Sequence, residues 1–168
     1  NNKVLYDLND KTFLLNSSFL NFTNFEFKKI GIAQDNNINI YAADLSNESF
    51  SLSNQGYQSL VEYDLRYLMT ILSEKDLGLV GRANQLLHYL NSSKHCGYCG
   101  SVMEFDSTEE AMFCKCNNLM IYPKISPCVL ALIKKDNQIL LARNALFPEG
   151  LYSALAGFVE VSETAEET

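Results

Sequence analysis

Four of the chain's five cysteines stand close together, at Cys96, Cys99, Cys114 and Cys116. In Cys96-Gly97-Tyr98-Cys99-Gly100 two thiols are three residues apart and a glycine follows. A tight turn with that spacing aims both sulfurs at one point, and Gly100 permits the positive φ the turn requires. The interval from Cys99 to Cys114 suits a second sulfur pair on a neighbouring hairpin, completing a tetrahedron around zinc. That second pair, Cys114-Lys115-Cys116, has a single residue between its thiols. Residues two apart share a face of an extended strand, whereas the usual turn wants three. Two metal arrangements stay open: zinc on all four cysteines with distorted geometry, or on three with His95 or water as the fourth ligand. The plain alternative is a set of buried or free thiols. Four protein ligands leave no position for a substrate, so zinc held this way is structural. His95 reads equally as a supporting partner of the ligands or as an exposed residue before the turn. Cys128, alone in an apolar stretch, reads as a core residue.

The rest of the composition narrows the setting. The chain has 168 residues, 47% of them apolar, enough for one medium domain or two small ones with a packed core. Its net charge is -7 and its pI about 4.8. With no basic run to neutralise phosphates, sequence-independent binding to duplex DNA is excluded, although a local phosphate pocket is not. No apolar run reaches the length of a membrane span, and Asn1 to Asp7 lacks the charged and apolar segments of a signal peptide. The Asn-x-Ser/Thr triplets at Asn16, Asn21, Asn47 and Asn91 read as chance in an Asn-rich chain. Clustered cysteines then favour a metal site in a reducing, cytoplasmic compartment over a disulfide scaffold.

The elements that must position these residues change along the chain. Residues 1–50 read as β-rich: Phe13-Leu14-Leu15, Phe19-Leu20, Phe25-Glu26-Phe27 and Ile38-Asn39-Ile40-Tyr41 are strand-like, and Asn36-Asn37 is a hairpin tip. Across 57–72 the spacing of Val61, Leu65, Leu68 and Leu72 predicts a helix. A second helix follows, with Ser73 as N-cap, an apolar stripe of Leu79, Ala83, Leu86 and Leu90, and an end near Asn91-Ser92-Ser93. Pro127 to Ile133 and Gln138 to Ala142 read as strands joined by a turn at Asp136-Asn137. Leu151 to Leu155 reads as a further short strand.

After the cysteines, Tyr122-Pro123, Ile125-Ser126-Pro127, Leu140-Leu141-Ala142-Arg143 and Ala156-Gly157-Phe158-Val159-Glu160 follow in order, and Gly157 and Glu163 have Gly-x5-Glu spacing. This string resembles the NADH pyrophosphatase (NAD diphosphatase) branch of the Nudix hydrolases. The likeness is strongest from His95 to Glu163, extends more thinly over Asp64 to Ser93, and rests on arrangement alone before that. The resemblance implies an α+β chain in three parts. These are a β-rich domain with two helices over 1–94, a zinc ribbon over 95–123, and the first strands of a Nudix α/β/α sandwich over 124–168. It implies a homodimer that hydrolyses the diphosphate of NAD(H) to NMN(H) and AMP with Mg²⁺ or Mn²⁺, some members also removing NAD caps from RNA. Carried onto matching positions, Tyr122 and Phe158 flank the nucleotide, Glu109 and Arg66 contact substrate, and the Ala156 carbonyl is a metal ligand. Gly157 and Glu163 open the Nudix box. The glutamates that hold the catalytic metal would fall beyond Thr168, so these residues alone are expected to catalyse poorly.

Departures and simpler readings accompany the likeness. Ser162 stands where the family usually has Gly, a substitution expected to be tolerated if φ is negative there. The Cys-x-Cys pair is a second departure, and the family's downstream NAD-recognition motif is absent from the chain. Tyr122 and Phe158 also read as core aromatics. Arg66 reads as an ion-pair partner of Glu62 one helical turn away, and Glu109 beside Glu110 as an exposed acidic turn. Glu163 is expected to orient a helix N-terminus rather than touch metal. Glu160, Glu166 and Glu167 read as solvated charges. Two rival functions are a non-catalytic zinc-ribbon dimerisation or binding module, and a Nudix hydrolase of another nucleoside diphosphate derivative.

Overall fold

The computed structural model describes residues 3–7, 12–13, 28–33, 38–44 and 59–168. The strands expected at Phe19-Leu20 and Phe25-Phe27 and the hairpin tip at Asn36-Asn37 lie outside them, as does most of the strand expected from Phe13. The chain divides into two compact units, Asn1–Pro123 and Lys124–Thr168. Helices and strands are mixed, and the sheets are small.

In the first unit β1 (Lys3–Asp7) pairs antiparallel with β4 (Leu60–Asp64), and β2 (Lys28–Ala33) with β3 (Ile38–Ala42). The helix expected across 57–72 is not formed as such. Leu60 to Asp64 join the β1 ladder, and only Leu65–Leu68 form a helical turn, α1. The backbone of Val61 is committed to Tyr6 across the ladder, so Val61 and Leu65 do not share a helical face. Asp64 makes the switch, its carboxylate accepting the Arg66 N–H at 2.8 Å, as an N-cap does. Leu68 is fully buried.

Helix α2 (Glu74–Ser92) starts where the sequence places it. The Ser73 hydroxyl accepts the Asp76 N–H at 3.2 Å and donates to the Asp76 carboxylate at 2.8 Å. Leu79, Ala83, Leu86 and Leu90 are only half-buried, whereas Val80 and Tyr89 are buried. At about 3.6 residues per turn these two lie on opposite sides of the helix. A single apolar stripe is therefore the wrong picture, because α2 packs against β2 and β3 as well as the segment that follows it.

That segment is a three-stranded antiparallel sheet in the order β5 (Glu104–Asp106), β6 (Ala111–Cys114), β7 (Leu119–Ile121). Tyr89, Cys96, Met103, Met112 and Cys114 form one buried cluster, with Leu86, Leu90, Phe105 and Ile121 packed around it. The Tyr89 hydroxyl accepts the Met112 N–H at 2.6 Å and donates to the Ile121 carbonyl. Met112 and Ile121 are register partners on β6 and β7, so one phenol clamps the helix to both strands. Burial pushes the Tyr89 pKa up, against the opposing pull of the Met112 N–H.

The second unit contains β8 (Cys128–Ala131), the hairpin β9 (Lys134–Lys135) and β10 (Gln138–Ile139), and β11 (Leu155–Phe158). β8 pairs with β11, Leu130 opposite Ala156 and Val129 opposite Gly157. The turn at Asp136-Asn137 forms as expected, with Asp136 at φ 53°. Regular pairing is shorter than expected: β10 ends at Ile139, and Ala142 meets Ser153 in a lone bridge. The Arg143 guanidinium donates to the carbonyls of Phe147 (2.7 Å) and Pro148 (3.3 Å), tying down that loop. Cys128 is exposed rather than in a core. Two-stranded ladders bury side chains only when another layer covers them, and no residue of 124–168 is buried. No helix among the described residues is long and apolar enough to cross a membrane.

The Tyr89 clamp yields a first prediction. Tyr89→Phe keeps the ring but strands a buried N–H, and should lower unfolding stability by about 1–3 kcal/mol in equilibrium denaturation.

Candidate metal centre and flanking loops

The Cys96 turn is held by backbone bonds on both sides. Gly100 N–H donates to the Cys96 carbonyl and Cys96 N–H to the Ser101 carbonyl, each at 2.8 Å, and Gly100 sits at φ 72°. The Tyr98 N–H points at the Cys96 sulfur at 3.4 Å. β6 brings Cys114 to the same place, its Sγ 3.6 Å from that of Cys99. The sulfurs of Cys96, Cys99 and Cys114 all lie within 4.8 Å of one another. Cys96 and Cys114 are buried and Cys99 is exposed. No other set of histidine, cysteine or carboxylate side chains converges this way among the described residues.

The thiols differ in character. The Ser101 hydroxyl and backbone hold the Cys99 thiol down to about 6. Cys114 is pulled down by the Asn117 backbone, but burial and the neighbouring thiols of Cys96 and Cys99 leave it raised overall. Such a group, with one sulfur readily ionised, could hold a soft or borderline cation, zinc among them. Cys116 lies apart from the trio; it is exposed, with its sulfur 3.3 Å from the Ser101 hydroxyl. His95 is exposed and contributes a backbone bridge to Val102. Asn117, which the sequence reading passed over, places Nδ2 at 3.8 Å from both Cys96 Sγ and Cys114 Sγ.

On the same sheet, Tyr122 and Glu109 meet. The Tyr122 hydroxyl donates to Glu109 Oε2 at 3.1 Å. Glu109 is oriented by the Asp106 carboxylate, which accepts the N–H groups of Thr108 (2.8 Å) and Glu109 (3.1 Å). Glu110 then turns away at φ 51° toward Arg82, at 3.6 Å. Tyr122 is 49% exposed, so it is not a core aromatic, and the hydrogen bond and charge of Glu109 raise its pKa. Arg66 is exposed on α1. Glu62 is on β4, so Glu62 and Arg66 are not one turn apart on a common helix.

In the second unit Phe158, also no core aromatic, ends β11 and is 69% exposed; Ala156 and Gly157 precede it on the strand. Beyond it the chain turns at Glu160–Glu163, closed by Glu163 N–H to the Glu160 carbonyl at 3.2 Å. Ser162 takes φ 72° in this turn, so the condition of a negative φ is not met. The position has the left-handed geometry that favours glycine, and serine holds it at a cost of roughly 1–2 kcal/mol. Glu163 Oε2 accepts the Glu160 N–H at 3.0 Å and the Thr168 hydroxyl at 2.9 Å. Glu167 is not merely a solvated charge. Its carboxylate accepts the Thr164 N–H at 2.8 Å while the Thr164 hydroxyl accepts the Glu167 N–H at 3.3 Å, a capping box at the start of a helical turn. The hydrogen bonds each receives lower both carboxyl pKa values. These two glutamates therefore shape the loop, and the described carboxylates do not by themselves assemble a Mg²⁺ or Mn²⁺ site.

Comparison with known proteins gives a consistent result. A protein from Enterobacter sp. (strain 638) is 44% identical over 90 residues, 54% of this chain and 35% of the relative. One from Escherichia coli O157:H7 is 41% identical over 108 residues, 62% and 42% respectively. One from Escherichia coli O1:K1 / APEC is 45% identical over 89 residues, 53% and 35%. Each is named NAD-capped RNA hydrolase NudC. Over about half its residues, this chain is similar to NudC. No family model matches it. The aligned stretch spans well under half of each NudC relative's length.

Three measurements test these loops. Glu109→Gln should let the Tyr122 phenol ionise at lower pH, read by ultraviolet difference titration. Ser162→Gly should stabilise the second unit by about 0.5–1 kcal/mol, read from chemical denaturation. Because the Glu163 and Glu167 carboxyls are held below their ordinary values, the order they give the loop is complete above the ordinary carboxylate range. It is lost as pH falls through the lowered values. The amide signals of Glu160 and Thr164 should report that loss in an NMR titration.

Proposed function

We propose that the protein containing this chain hydrolyses the diphosphate of NAD(H) to NMN(H) and AMP, and acts on NAD-capped RNA. The observation that carries this reading is the 41% to 45% identity to proteins named for the second activity. The geometry supports it at Tyr122, whose exposed ring stands on a sheet edge with its hydroxyl fixed by Glu109. A fixed aromatic face of that kind suits stacking against a base, and the exposed ring of Phe158 supplies a second candidate platform. Arg66 and Glu109 are the proposed polar contacts to substrate.

The division of labour follows the three-part reading, with a β-rich domain and helices over 1–94, a ribbon over 95–123, and Nudix strands from 124 onward. The protein works as a homodimer in a reducing, cytoplasmic setting that keeps its thiols available. Zinc on the cysteine cluster is structural. Mg²⁺ or Mn²⁺ would supply neutralisation of the diphosphate charge for attack by water, and the Ala156 carbonyl would be one of the groups that hold it. The residues of this chain present the base and shape the loop from Gly157 to Thr168.

The test is release of AMP and NMNH from NADH by the full-length protein. Replacing the metal-binding glutamates of the full-length protein's Nudix box should abolish it. Tyr122→Ala and Phe158→Ala should each raise KM about tenfold or more, the scale of a lost base stack. Unchanged KM in both variants would remove them from the binding site. Cleavage confined to other nucleoside diphosphate derivatives would replace the substrate while keeping the chemistry.

A further inference from the structure

The cysteine cluster has the form of two turns facing one another, and the second turn does not end at a cysteine. In the first, Cys96 and Cys99 are separated by two residues and followed by Gly100 at φ 72°. In the second, Cys114 is followed at the same interval by Asn117, and the next residue, Asn118, is left-handed at φ 49°. Asparagine is one of the few residues besides glycine that adopts this conformation readily. The backbone thus repeats the turn, with Asn117 at the position equivalent to Cys99. The side chains agree: Asn117 Nδ2 reaches Cys96 Sγ and Cys114 Sγ, both at 3.8 Å. Cys116 falls in the middle of the turn and directs its sulfur to the Ser101 hydroxyl at 3.3 Å.

We propose that Asn117, and not Cys116, occupies the fourth corner of the cluster, making it a three-thiol site with a weak and exchangeable fourth position. The inference rests on the reading of this cluster as a zinc site and assigns its ligand set. Cys96, Cys99 and Cys114 supply thiolates to a thiophilic divalent ion such as Zn²⁺. The carboxamide turns Nδ2 toward the sulfurs, which accept from it; toward a cation the same group offers its oxygen. A neutral amide oxygen, or water in its place, binds zinc less strongly than a thiolate. The chain therefore holds its ion more loosely than a four-thiolate site does, while the ribbon fold is retained by the Tyr89 clamp and the apolar cluster beneath.

The test uses the reduced chain with Co²⁺ as a spectroscopic probe and Zn²⁺ competed against a chromophoric chelator, folding being checked by circular dichroism. Wild type should take up Co²⁺ with thiolate charge-transfer bands, and Cys116→Ser, at an exposed residue, should leave both spectrum and Zn²⁺ affinity unchanged. Asn117→Cys should move the ligand-field bands toward those of four-sulfur coordination. It should also tighten Zn²⁺ by about tenfold or more, a factor that even an outer partner of a metal ligand can command. Cys99→Ser, also at an exposed position, should weaken the charge-transfer bands and loosen Co²⁺ binding, and wild-type bands and affinity in that variant would overturn the three-thiol assignment. A changed spectrum or weakened binding in Cys116→Ser overturns the assignment of the fourth corner, and so does Asn117→Cys with wild-type spectrum and affinity. Wild type that takes up no Co²⁺ overturns the metal reading itself.

Discussion

A single phenolic oxygen links the parts of the first unit that matter. Tyr89 lies in the last turn of the long helix α2, and its hydroxyl sits between the backbones of Met112 and Ile121, register partners on two strands. A hydroxyl can accept from one group and donate to another, which lets one atom satisfy an N–H on β6 and a carbonyl on β7 in an apolar junction. Both strands carry the chemistry onward. β6 ends at Cys114, and the residue after Ile121 is Tyr122. Thiol cluster and aromatic edge thus hang on the same clamp.

The two sites use polarity in opposite ways. The thiol cluster is partly buried and concentrates soft donors at one point. The Tyr122–Glu109 pair is exposed, and its carboxylate is fixed by a chain of local turns beginning at Asp106. One arrangement gathers thiols, two of them buried; the other presents a ring and a carboxylate outward. The same division recurs in the Glu160–Thr168 loop, where two carboxylates serve backbone N–H groups.

Features encoded by neighbouring residues were legible in the sequence. Ser73 and Asp76 announce the start of α2, Asp136-Asn137 the hairpin, and Cys96-x-x-Cys99-Gly100 the first turn of the cluster. Val61 was misread because its spacing to Leu65 and Leu68 fits a helix, while pairing with distant β1 decides otherwise. The stripe on α2 was misjudged for a related reason: the number of neighbours a helix faces is a tertiary property. Ser162 conceals a left-handed backbone behind an ordinary residue. Asn117 carries no thiol to mark it in the sequence, although its spacing from Cys114 and the Asn118 that follows repeat the pattern of the first turn. The Tyr122–Glu109 bond depends on sheet register, which no local pattern displays.

The second unit has a consequence of a colloidal kind. Among the described residues, β8 and β11 pair only with each other, so each strand offers an edge that no described strand covers, and Leu130, Leu132, Ile133 and Leu155 are exposed beside them. Open strand edges with apolar side chains are templates for pairing with other chains. These edges and side chains give 124–168 a driving force for self-association that grows with protein concentration.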